Sequence, residues 1–105
     1  MAGFPHFKGD TVHTETIVLA AIGVAQQFPS FVIDPAFAVT YEVEAVPSTG
    51  IIWFAATKAA AESGTDRKRL GIGSSITLKM KNVQDIWFVS SVALDEIGLV
   101  VEEIT

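Results

Sequence analysis

Few residues in this chain have the type and spacing that chemistry needs. His6, Asp10, His13 and Glu15 are metal-ligand types close together near the start. A metal site needs convergent ligands, and this spacing fits no compact ligand pattern, so no metal is expected. Glu42 and Glu44 are the next candidates, because paired carboxylates do acid–base work when their environments drive their pKa values apart. Two residues apart in an alternating segment, they share one face, and no titratable partner stands by to divide the roles. A solvated stripe is the expectation. Ser90 and Ser91 lack the glycines of a nucleophile elbow and have no histidine nearby. Gly71-Ile-Gly-Ser-Ser75 has phosphate-loop glycines without the Lys-Ser/Thr pair that should follow, and it reads as a turn into a strand. No catalytic residue, cofactor or metal is therefore expected.

Charge and composition narrow the partners. The 105 residues carry a formal charge of −5, which argues against nucleic acid, since binding phosphates takes clustered Lys and Arg. The one concentrated positive cluster is Arg67, Lys68 and Arg69, expected in a polar loop that is either solvated or docked on an acidic surface. Hydrophobic residues make up 50% and charged residues 18%, with a mean hydropathy of +0.44, so part of the surface of so small a domain is expected to be covered. Residues 16–33 bear no formal charge, but Gln26, Gln27, Pro29 and Ser30 interrupt them, and a membrane span needs about 20 predominantly apolar residues. No span and no secretory signal is expected. Without cysteine there is neither a disulfide nor a thiolate.

The elements that must position everything else are short apolar segments cut by Gly, Pro, Asn and Asp. Residues 37–46 alternate most clearly, with Phe37, Val39, Tyr41, Val43 and Ala45 on one face. Residues 41–46 and 51–56 read as a strand and its return around the turn at 47–50. Residues 76–80, 86–91 and 98–104 supply further strands, and 81–85 reads as a hairpin connection. Residues 12–28 read as a strand with an irregularity at Gly23, and 31–33 as at most a short strand before Asp34-Pro35. Residues 58–62 have helix propensity but are too short to stand alone. The reading is all-β, an antiparallel β-sandwich of jelly-roll-like type. It consists of an extended N-terminal arm at residues 1–13 and a single domain at 14–105.

Two segments break the alternation. Residues 51–56 and 86–89 are apolar on both faces, and a strand apolar on both faces is buried on both. One thin sandwich covers only one face of each sheet, so the other needs either the N-terminal segments or another chain. A subunit interface is the stronger expectation, with Trp53, Phe54 and Trp87 as anchors. Phe4 and Phe7 on the arm, and Arg67 and Arg69 in the basic cluster, complete the expected contact set. The chain should be a homo-oligomer.

Four phrases carry a resemblance: Ser48-Thr-Gly-Ile-Ile-Trp-Phe54, Leu70-Gly-Ile-Gly-Ser-Ser-Ile-Thr-Leu78, Ile86-Trp-Phe-Val-Ser-Ser91 and Gly98-Leu-Val-Val-Glu102. Together they resemble the small β-sandwich virion proteins of tailed bacteriophages, over the last two-thirds of the chain. The resemblance implies a head decoration or cement protein on the capsid surface, present in the host cytoplasm before assembly. It implies a trimer bound to the major capsid protein or another virion protein, acting by adhesion without catalysis. The alternative is a tail or fibre component, or a receptor- or carbohydrate-binding module. The N-terminal third lies outside the resemblance, which leaves the mode of attachment open.

Overall fold

Alternation in the central strand sets the inside of the molecule. In β3 (Phe37–Val43) the side chains of Val39, Tyr41 and Val43 are fully buried while Glu42 faces water. In this computed structural model the described residues are 7–33, 37–46, 48–64 and 66–104, with 7–10, 103 and 104 described by backbone alone. They form two four-stranded antiparallel sheets. The first has the order β1 (Phe7–Leu19), β8 (Asp95–Ile104), β3, β6 (Ser75–Leu78). The second has the order β2 (Gln26–Gln27), β7 (Trp87–Ser90), β4 (Ile52–Ala55), β5 (Lys68–Leu70). The described residues are all-β apart from one short helix and a 3-10 turn at Val83–Asp85.

Apolar side chains from both sheets meet in one core. Leu19, Val39, Tyr41, Val43, Ile97, Leu99 and Val101 come from the first sheet, and Ile52, Leu70 and Phe88 from the second. Phe28, ahead of β3, sits among them. Phe88 is the centre of the aromatic packing. Its ring centroid lies 5.2 Å from Tyr41, 6.0 Å from Phe28 in an edge-on arrangement, and 6.4 Å from Phe54. Burial requires the Tyr41 hydroxyl to find a partner, and it donates to the Val83 carbonyl at 2.7 Å. Desolvation, with Asp85 adding to it, pushes that phenol far above its ordinary pKa, so it stays protonated.

Three expectations are corrected. Residues 7–13 are not separate from the domain, because their backbone is already strand β1, paired with β8 from Phe7 opposite Ile104 onward. The connection at 81–85 is not a hairpin: β6 and β7 belong to different sheets, as do β3 and β4. Turn residues say that a chain reverses, but not which sheet the returning strand joins. Asn82 makes this crossing by accepting from the amides of Phe31 (2.9 Å) and Gln84 (3.1 Å) while donating to Ser30 Oγ (2.7 Å). Finally, the basic cluster is not all loop. Lys68 and Arg69 lie in edge strand β5, held there because Leu70 turns into the core and the strand pairs with β4.

The short helix answers the question of cover in part. Helix α1 (Lys58–Ser63) starts at Thr57, whose side chain accepts from the Ala60 amide, and stops at Gly64 with φ of +83°. Ala61 is buried against Ala25, Ala55 and Val89 on the outer face of the second sheet. Glu62 fastens the helix by accepting from the Ala25 amide at 2.8 Å, with Lys58 Nζ at 3.1 Å. The Ala25 N–H first, and Lys58 next, hold the Glu62 carboxyl below the usual carboxylate range. Its contribution to stability should therefore be whole at neutral pH, and fade as pH falls through the carboxylate range toward the lowered folded-state value. Thermal melts of Glu62→Gln and wild type should differ at neutral pH and converge in acid.

Candidate adhesion surface

Strand direction gathers four connections at one end of the sandwich. Those after β1, β3, β5 and β7 all lie there, and backbone bonds tie them together. Gly23 N donates to the Ser90 carbonyl (3.1 Å), Leu94 N to Leu19 (2.9 Å), Gly73 N to Val43 (2.9 Å) and Ser91 N to Ile51 (2.9 Å). A buried carboxylate fixes the end from below. Asp95 accepts from the amides of Thr49 (2.8 Å) and Gly50 (2.9 Å) and from Ser90 Oγ (2.8 Å). Gly50 allows that approach, because a Cβ there would stand 2.6 Å from Val92 and 2.9 Å from an Asp95 oxygen.

The loops so held present apolar side chains to water. Val46 is 85% exposed, Ile22 65% and Leu94 63%, with Val24 and Ile72 also exposed. The loop end also holds an open cleft of about 410 Å³, lined by Thr49, Arg69, Ile72, Ser91 and Val92 among others. Leu94 has φ of +70°, the one non-glycine positive φ among the described residues. For a leucine that conformation costs roughly 1–2 kcal/mol, which glycine would avoid.

The expected contact residues are scattered. Trp53 and Trp87 are half-buried on the outer face of the second sheet, packed beside Ala55, Ala61 and Val89. Arg67 lies over the Trp53 ring, 3.8 Å from its centroid, and donates to the Ala61 carbonyl at 3.0 Å, which closes the C-terminal end of α1. Phe54 points the other way, into the core against Phe88. Arg69 is exposed and reaches the loop-end cleft instead. Phe4 lies outside the described residues; Phe7 is in β1, at a position described by backbone alone. The structure thus brings together Trp53, Trp87 and Arg67, and separates them from Phe54 and Arg69.

Sequence reasoning missed the apolar loop end. Its signal was present in Ile22 before Gly23, and in Ile72 between Gly71 and Gly73, where apolar residues occupy turns that usually carry polar ones. Glu42 is exposed on the outer face of the first sheet, and Glu44 folds over Gly98 beside Thr14, Thr16 and Thr40. No family model, curated protein or solved structure matches the chain.

Proposed function

We propose that this chain is a structural virion protein of the decoration or cement type, acting by adhesion to a capsid or other virion protein and without catalysis. The class comes from the sequence resemblance. The strand orders β1-β8-β3-β6 and β2-β7-β4-β5 support the jelly-roll reading, an architecture common in capsid and lectin domains. The observation that carries adhesion is the loop end, where each of the four connections exposes a large apolar side chain and a cleft lined by Arg69 and Ile72 opens. Exposed apolar patches mark interaction sites, and one strained leucine kept at the tip fits a side chain retained for contact.

The reading is tested on purified particles produced by the genome that encodes the chain. Mass spectrometry should find the protein in the head in stoichiometric amount. Its absence from particles, or presence only in tails, would refute the decoration role. Leu94→Gly offers a second check. Relief of the left-handed backbone should raise stability slightly, by roughly 0.5–1 kcal/mol after the added entropy of an unfolded glycine. The same change should weaken rebinding to stripped particles. A variant that rebinds as tightly as wild type would remove the tip from the contact.

A further inference from the structure

The four free sheet edges are protected unequally. Strand β2 has two residues, β5 has three and carries Lys68 and Arg69, and β6 has four and runs into Lys79 and Lys81. Short length and edge lysines are the usual devices against another chain adding to a sheet. Strand β1 is long, and its one lysine, Lys8, stands at its start. It runs for 13 residues, against about 5–6 for a typical strand. From Thr11 to Leu19 it contains no Lys, Arg or Pro.

Its geometry is also the most regular where it is unprotected. The register with β8 shifts between Phe7 and Thr11 and between Thr11 and His13, then runs without a break to Leu19 opposite Asp95. The other side of β1 faces no strand among the described residues. Thr14, Thr16 and Val18, on the outward face, are exposed and uncharged. The two titratable groups of this stretch, His13 and Glu15, share the inward face with Ile17 and Leu19. His13 Nε2 lies 2.5 Å from Glu15 Oε2, and the imidazole stacks on Phe31 with centroids 3.8 Å apart. The outward face of this stretch is thus uncharged on a chain of formal charge −5.

We propose that the free edge of β1 is a self-association surface, on which β1 of a second copy adds antiparallel about a twofold axis. The two β1-β8-β3-β6 sheets then become one eight-stranded sheet. A second copy is the occupant this edge fits, because an antiparallel edge complements itself. Open N–H groups meet open C=O groups, and in the register centred on Thr16 the outward face sets Thr16 opposite Thr16 and Thr14 opposite Val18, with Glu15 opposite Ile17 and no like charges opposed. Assembly stops at two, since each remaining end is β6 with its lysines. This surface is separate from the loop end, so the adhesion reading and the pairing stand or fall independently.

Light scattering across a concentration series, combined with amide hydrogen exchange, tests the pairing on the whole chain. The expected result is a dimer that dissociates on dilution, with alternate amides of residues 13–19 gaining protection as concentration rises. Thr14→Lys with Thr16→Lys should weaken the dimer roughly tenfold or more by setting lysines across the axis, while the β circular dichroism persists. Should that variant fail to fold, the wild-type exchange profile decides. A chain that stays monomeric at millimolar concentration, a trimer, or a dimer whose 13–19 amides exchange at the monomer rate would each overturn the proposal.

Discussion

Phe88→Ala should cost about 3–5 kcal/mol, the range for emptying an aromatic site in a packed core. Phe88 is fully buried and touches the rings of Phe28, Tyr41 and Phe54, which come from three other parts of the chain. Each aromatic pair adds about 0.5–1.5 kcal/mol beyond area, so the upper end is expected. Against a typical domain stability of about 5–15 kcal/mol, that leaves a marginal fold. Urea unfolding followed by tryptophan fluorescence measures it as a fall in midpoint at unchanged slope. Phe88→Leu should lose much less. A near-neutral Phe88→Ala would mean that the two sheets do not close over this ring.

Asp95→Ala comes next, at about 3 kcal/mol. The carboxylate is 1% exposed and satisfies the Thr49 and Gly50 amides and the Ser90 hydroxyl. Removing a shared acceptor leaves each donor short, at about 1–3 kcal/mol when fully buried. The two amides are only partly buried, which keeps the sum near the low end. The loss should also be local in origin. Hydrogen exchange should speed first at Thr49 and Gly50, because these two amides lose their acceptor while the rest of the connection keeps the bonds of Ser48 and Glu44 to Glu96. Asp95→Asn keeps an acceptor oxygen but turns an amide donor toward another donor, and it should fall between wild type and alanine. Equal exchange at Thr49 in wild type and Asp95→Ala would contradict this account.

Several features are legible in the amino-acid sequence, and each has a local cause. The alternation in residues 37–46 marks Val39, Tyr41 and Val43 as inward, because successive side chains in a strand point to opposite faces. The two-sided apolar runs around Trp53 and Trp87 signal the cover that the second sheet has on both faces. Ser63 and Gly64 mark where the helix ends. The all-β class follows from the spacing of such segments.

What covers the outer face was not legible. Six residues are too few to hold a helix alone, and α1 exists because Ala61 docks on Ala55 and Val89 while Glu62 reaches Ala25, 37 residues away in sequence. The role of Asp95 was not legible either, because its donors Thr49 and Gly50 lie 46 and 45 residues upstream. The candidate surfaces divide in the same way. Parity alone put Trp53 and Phe54 on opposite faces, but only the pairing of β4 with β7 decided which face was core. The apolar loop end arises because four connections, far apart in the chain, are brought to one side by strand direction. Periodicity along the chain determined which side chains share a face; which face meets which, and which edge is left unpaired, was decided by contacts between residues distant in sequence.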